Sequence, residues 1–136
     1  MYAADRASQH LGIEISDVAP GRARAVMTVA DTMVNGHDLC HGGYVFLLAD
    51  TAFAFACNTY DQVTVAASGD AVFVRPALRG QQLVADATER VRHGRSGVYD
   101  VTVRTADGDV VAEFRGRSRT LGRPILDDTD TAPPTA

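Results

Sequence analysis

The sequence contains no tryptophan, and aromatic residues make up only 7% of its 136 positions. It has two cysteines, Cys40 and Cys57, in unrelated contexts. Neither belongs to a paired-cysteine motif, so no disulfide scaffold is called for and reduced thiols in a cytoplasm are expected. A long hydrophobic run is also missing. The most apolar stretch, Tyr44 to Cys57, is shorter than the roughly 20 residues a membrane span needs, and Asp50 interrupts it. No apolar run follows Met1-Tyr2-Ala3-Ala4-Asp5-Arg6, so no signal peptide is expected. Nor is there an excess of positive charge, since the formal balance is -4. Nucleic acids and anionic membranes both select a basic surface, so neither is an expected partner. Any anionic ligand must be held by a local basic patch.

What remains is an ordinary globular composition, 46% apolar and 22% charged, over the length of one domain. A single domain over residues 1–122 is expected, followed by a disordered tail over 123–136 rich in Asp, Thr, Pro and Ala. Asp5 to Leu11 fits a short opening helix. Ile13 to Val18 and Ala23 to Val29 alternate apolar and polar residues, as strands do, with Pro20-Gly21 as their turn. Asp31 to Gly42 is polar and rich in turn residues. From Gly43 to Cys57 alanine and leucine dominate, with no further glycine or proline. This predicts a helix apolar on nearly every face, which must be buried all round.

Strand patterns follow. Val63 to Val74 is broadly apolar with an irregularity expected near Ser68-Gly69, and it ends at Arg75-Pro76. Leu83, Ala85, Ala87 and Val91 are expected on one strand face. Tyr99, Val101 and Val103 define a second inward face, and Val110, Ala112 and Phe114 a third. His93 to Gly97 and Asp107-Gly108 are the intervening turns. Short turns between strands give an antiparallel sheet, and one wholly apolar helix needs a surface around it. A curved antiparallel sheet wrapped around a central helix meets both demands, so an α+β fold of the hotdog type is expected.

Asp50 is the one carboxylate inside the apolar helix, too far from its start to be a cap. An ionised carboxylate in apolar surroundings is costly without partners. Desolvation raises its pKa, which suits proton transfer near neutral pH. The plainer alternative is a structural ion pair with Arg75. At the helix start, His41-Gly42-Gly43 offers unpaired backbone N–H groups that could polarise a carbonyl and stabilise an oxyanion. Gly43 and Asp50 are seven residues apart, about 10 Å along a helix axis. One side chain does not bridge that gap to a shared reacting centre. A two-fold dimer does, if Gly43 of one chain faces Asp50 of the other.

These residues resemble the phenylacetic-acid-degradation thioesterase family of hotdog enzymes. The likeness lies in Asn35-Gly36-His37, Cys40-His41-Gly42-Gly43, Leu48 to Ala54 and Ala56-Cys57-Asn58. It continues through Phe73-Val74-Arg75-Pro76, Gly94-Arg95, Val98 to Val101 and Phe114 to Ser118, and so spans roughly Leu11 to Gly122. The resemblance implies hydrolysis of aryl-acyl-CoA thioesters, especially ring-hydroxylated phenylacetyl-CoA, by a homotetramer built of two dimers. It implies that Asp50 is the base or nucleophile and that the Gly43 amide serves the oxyanion. Asn35 and His41 are implied to help position the site. The segment Ser68-Gly69-Asp70-Ala71 departs from the family pattern in being more polar.

For the phosphates of CoA the candidates are Arg115 and Arg117, which with Arg119 share one strand face, and Arg95 with Ser96 in the glycine-containing turn. A solvated basic face paired with acids is the alternative. His37, Cys40 and His41 resemble a partial metal cluster, but a further ligand at zinc spacing is missing, so no metal and no cofactor are expected. A Cys40–His41 nucleophilic pair is disfavoured because sequence neighbours rarely align. His10 and His93 fall in surface segments and receive no role. A non-catalytic acyl-CoA-binding protein of the same fold is the second reading, and a hydratase trails for want of a paired Asp and His at that family's spacing.

Overall fold

The computed structural model describes residues 1–125. From residue 126 onward, the expected tail lies outside the described residues. A short helix α1 (Arg6–His10) is followed by strands β1 (Glu14–Ala19) and β2 (Arg22–Thr28). A 3-10 turn at Asp31–Met33 leads to the long helix α2 (Gly42–Cys57). Strands β3 (Thr64–Phe73), β4 (Gln82–His93), β5 (Ser96–Thr105) and β6 (Val110–Thr120) complete the domain. All six strands form one antiparallel sheet in the order β1-β2-β4-β5-β6-β3, and its inner face wraps α2.

The inner face explains the wrap. One cross-strand row runs Ala23, Ala87, Val101, Phe114 and Ala71, and the next runs Ala25, Ala85, Val103 and Ala112. All but Ala71 are buried. In these two rows alanine on β2 and β4 lets the sheet close on the helix, and bulk increases through the β5 valines to Phe114 on β6. Gly116 on β6 continues this logic, because a Cβ there would stand 2.7 Å from the Phe53 ring of α2. The helix end is tied down by Asn58. Its Nδ2 donates to the Ala54 carbonyl at 2.7 Å and the Thr64 carbonyl at 3.0 Å, while its Oδ1 accepts the Thr64 amide at 2.9 Å.

Several expectations shift by a residue or a face. The opening helix is shorter, with Asp5 as its N-cap, and α2 begins at Gly42 rather than Gly43. The irregularity in β3 is a register shift between Ala66 and Ser68. Val91 is not on the inner face: a shift between Glu89 and Val91 turns it outward, 56% exposed. In β6 it is Val111, not Val110, that joins Ala112 and Phe114 in the core. Each bulge inverts the alternation beyond it.

The helix is also not buried all round within one chain. Val45, Leu48, Ala49, Ala52, Phe53 and Ala56 are buried, but Gly43 is exposed and Leu47, Asp50 and Ala54 are half-buried. These last four recur at i+4, i+3 and i+4, so they form a single stripe facing away from the sheet. Among the described residues no helix is long and apolar enough to cross a membrane.

Gly116→Ala should lower stability by about 1–3 kcal/mol through overpacking against Phe53. The shift in denaturant midpoint at unchanged slope measures it. A neutral result would show that the Phe53 ring has room to move.

Candidate active site

The uncovered stripe of α2 carries the two groups singled out in the sequence. Asp50 sits mid-helix, half-buried, with no hydrogen bond or ion pair among the described residues. Burial among apolar neighbours pushes its carboxyl above the usual carboxylate range. The effect reaches the next turns: burial, with added repulsion from Asp50, pushes the Cys57 thiol up to about 12. The alternative partner Arg75 is engaged elsewhere, with Asp109 at 3.1 Å. The structural ion pair weighed for Asp50 is therefore absent.

At the helix start, His41 is the N-cap and its Nδ1 accepts the Gly43 amide at 2.9 Å. An acceptor Nδ1 leaves the proton of a neutral imidazole on Nε2. A Cβ on Gly43 would come within 3.1 Å of Nδ1, so glycine is what lets the ring fold back so closely. The loop before the cap is organised by Asn35. Its Oδ1 accepts the amides of His37 at 2.9 Å and Leu39 at 3.2 Å. Backbone bonds from Cys40 to Ala77 and from His41 to Met33, both 2.8 Å, strap this loop to the body of the domain. Asn35 thus holds the segment that carries His41.

The Cys40–His41 pair does not form. Cys40 is buried, its thiol donates weakly to the His41 carbonyl at 3.6 Å, and burial raises its pKa. His41 uses Nδ1 as a cap, and His37 is exposed, so the three share no common centre. No group of three metal-ligating side chains occurs among the described residues.

The basic candidates separate into two kinds. Arg115 is bidentate to Asp100, at 2.7 and 3.0 Å, and holds that carboxyl below its usual range. Arg117 and Arg119, with Ser96, line a cleft of about 320 Å³ on the outer face. Arg95 lies at the β4–β5 turn, its guanidinium beside Gly122. Arg95, Arg117 and Arg119 have no carboxylate partner among the described residues. Pattern reasoning missed a cavity of about 730 Å³ beside the stripe, walled partly by α1 and by Tyr44 and Leu47. Its only signal was His10, on the last turn of α1.

A curved sheet around a central helix, with a lone carboxylate on that helix and a glycine amide at its start, defines a hotdog protein equipped for acyl chemistry. The profile of the Thioesterase superfamily matches residues 37–112. The acyl-coenzyme A thioesterase PaaI of Escherichia coli (strain K12) is 42% identical over 92% of this chain and 89% of its own length. The solved structure of the E. coli PaaI protein from the phenylacetic acid degradation operon superposes with a TM-score of 0.90, covering 93% of this chain and 91% of that one. A mutant of the phenylacetic acid degradation protein PaaI from Thermus thermophilus gives 0.83 at 34% identity, over 86% of this chain and 100% of that one. The chain belongs to the thioesterase superfamily, and its enzyme class is thioester hydrolase.

The raised pKa of Asp50 has a signed consequence for stability. Folding penalises the charged form, so the penalty is full above the folded pKa and is lost as pH falls through it toward the unfolded value. Asp50→Asn should therefore raise Tm at pH 7, and the gain should vanish below about pH 4, near the ordinary carboxylate pKa. Thermal melts of both proteins across this range check it. A gain that persists in acid contradicts desolvation as its cause.

Proposed function

We propose that the protein hydrolyses aryl-acyl-CoA thioesters, phenylacetyl-CoA and its ring-hydroxylated forms among them, to the free acid and CoA. The observation that carries this is Asp50, desolvated and without a partner, on the same helix face as the Gly43 amide. Likeness to E. coli PaaI over nearly the whole chain supports the substrate class and a place in phenylacetate degradation. Asp50 activates water, or attacks the thioester carbonyl itself, while the Gly43 N–H receives the oxyanion. His41 and Asn35 position that amide, the first as its resting acceptor and the second through the loop. A non-catalytic acyl-CoA binder has no use for an unpaired, partly desolvated carboxylate, which makes it the weaker reading.

The reacting centre is composite in this proposal. Gly43 and Asp50 stand about two helical turns apart, roughly 10 Å. A second chain closes the gap. Two features favour pairing: the stripe of α2 that the sheet leaves uncovered, and the free edge of β3 with Val65 43%, Val72 63% and Phe73 55% exposed. An apolar sheet edge of this length favours strand addition. The assembly is a cytoplasmic homotetramer, a dimer of such dimers. Arg117 and Ser96, with Arg95 close by, hold the CoA phosphates, whereas Arg115 must first release Asp100 to take part.

Asp50→Ala should cut release of free thiol from phenylacetyl-CoA by about 10²–10⁴-fold, the usual worth of an acid–base group. Equal slow release from both proteins would instead support the binding protein. Co-refolding Asp50→Asn chains with Gly43→Pro chains should restore about a quarter of wild-type activity, since half the dimers are mixed and each has one intact site. No recovery counts against shared sites.

Arg117→Glu should raise KM for acyl-CoA esters about tenfold or more with kcat little changed, the sign of lost uniform binding. An unaltered KM in steady-state assays removes Arg117 from the CoA site.

A further inference from the structure

The sheet packs against one side of α2, and the chain before β1 lies along a flank beside it. Two contacts mark that flank. The buried Ser8 and Thr51 hydroxyls meet at 3.2 Å, and the Tyr2 ring packs on Phe55 with centroids 6.3 Å apart. Tyr2 is itself anchored, its hydroxyl donating to the Ile13 carbonyl. Thr51 and Phe55 are four residues apart, a neighbour spacing on a helix, so both contacts fall on one line. Asp50 directly precedes Thr51, and Ala54 directly precedes Phe55. The braced line therefore runs alongside the uncovered stripe, about 100° around the helix from it.

The contact between Ser8 and Thr51 has a direction. A hydroxyl has one proton to give. Ser8 gives its proton to the Asp5 carboxylate at 2.7 Å, and Asp5 also accepts the Ser8 amide at 3.0 Å. Ser8 can then only accept from Thr51, so the Thr51 hydroxyl is the donor. The relay runs from Thr51 through Ser8 to the half-buried Asp5. A threonine in mid-helix commonly bonds back to the carbonyl one turn earlier. Here the hydroxyl is drawn off its helix instead, and α1 is clamped to the turn of α2 that carries Asp50.

Packing alone does not call for this arrangement, since a valine fills the same space with no hydroxyl to satisfy. What the hydroxyl adds is angle, because a hydrogen bond is directional and apolar contact is not. Toward β2 and β4 the helix rests on Ala23, Ala25, Ala85 and Ala87, whose short side chains resist rotation weakly. The outer end of a side chain stands roughly 5 Å from a helix axis. Rolling α2 by about 10° therefore moves the Asp50 carboxyl by about 1 Å. A misplacement of that size can cost about 10²-fold in rate.

We propose that Thr51 and Ser8 are positioning residues for the reaction: their relay to Asp5 fixes the roll of α2 about its axis, and with it the place of the Asp50 carboxyl. The assignment rests on the reading of Asp50 as the reacting carboxylate. Neither hydroxyl is open to substrate, since both are buried. They act through the helical turn that Asp50 and Thr51 share. Loss of the relay is therefore felt in the transition state, where placement matters, and little in binding. The links act as one unit, so breaking either of them frees the same motion.

The test uses the full chain with phenylacetyl-CoA, at a temperature where melting curves show the variants folded. Thr51→Val keeps the shape of the side chain and removes the donor. It should lower kcat about ten- to a hundredfold, with KM changed less than about twofold. Thr51→Ser restores a donor and should recover most of the lost kcat. Ser8→Ala should match Thr51→Val, and the double variant should lose no more than the worse single one. Where Thr51→Val fails to fold, Ser8→Ala decides by the same measure. A folded Thr51→Val protein with wild-type kcat overturns the proposal. So does a Thr51→Ser protein as slow as Thr51→Val, which assigns the effect to packing of the methyl group. Additive losses in the double variant overturn the relay as a unit. Wild-type turnover by Asp50→Ala overturns Asp50 as the reacting carboxylate, and its positioning with it. An inactive Asp50→Ala beside a fully active Thr51→Val overturns the positioning alone.

Discussion

The close fit of α2 into the sheet is the constraint on which everything else depends. The helix is so rich in alanine and phenylalanine that it has no polar side to show to water. Its burial therefore has to come from a surface that curves around it. Ala23, Ala25, Ala85 and Ala87 make that close approach possible, because larger side chains at these four positions would hold the helix off the sheet, and the bulkier Met27 and Leu83 pair farther along β2 and β4. Gly116 does the same beneath Phe53. A sheet covers only part of a cylinder, however, and the stripe left over carries Gly43, Leu47, Asp50 and Ala54. The fold thus produces, as one result, a desolvated carboxylate and an open face next to it.

Charge elsewhere is arranged in the opposite way. On the outer face, Arg24 stands directly across from Asp86 and Arg115 across from Asp100, each pair bonded through both guanidinium arms. Such exposed pairs contribute little stability. Their effect is to occupy arginines. Arg75 and Arg79 are likewise taken by Asp109 and Asp38. Arg95, Arg117 and Arg119 are left without carboxylates, among the described residues, at one end of the sheet. In an acidic chain, this local surplus is what an anionic ligand can use. On the proposed reading, Asp50 and these arginines share one feature: each is a charged group that no opposite charge occupies among the described residues.

Much of this was legible in the sequence, and the failures have a common cause. Period-two alternation placed Ala23, Leu83, Ala85, Ala87, Tyr99, Val101 and Val103 correctly because those strand segments run without interruption. It failed at Val91 and Val110, each next to a register shift that sequence does not announce. Asp50 was legible because a charge in a greasy run is a local anomaly. The clamp between Ser8 and Thr51 was not, since its partners are 43 residues apart and each is an ordinary polar residue alone. His10 was passed over for the same reason. It is exposed and inconspicuous on its own helix, and only the packing of α1 against α2 places it at a cavity rim.

The bond between His41 and Gly43 bears on how the proposed reaction divides its energy. A free helix N-terminus must satisfy its amides somehow. Here an imidazole nitrogen does so, and a substrate carbonyl arriving at Gly43 has to replace it. Exchanging one neutral acceptor for another gains little, so the amide does not tighten substrate binding much. Once the carbonyl carbon is attacked, its oxygen becomes charged, and hydrogen bonds to charged acceptors are roughly twice as strong. The advantage over the imidazole then appears only as charge develops. An interaction that is nearly neutral in the ground state and favourable in the transition state raises kcat rather than lowering KM. In the proposed reaction His41 therefore does more than cap a helix: as the resting acceptor of the Gly43 amide, it is the reference against which an oxyanion there would be stabilised.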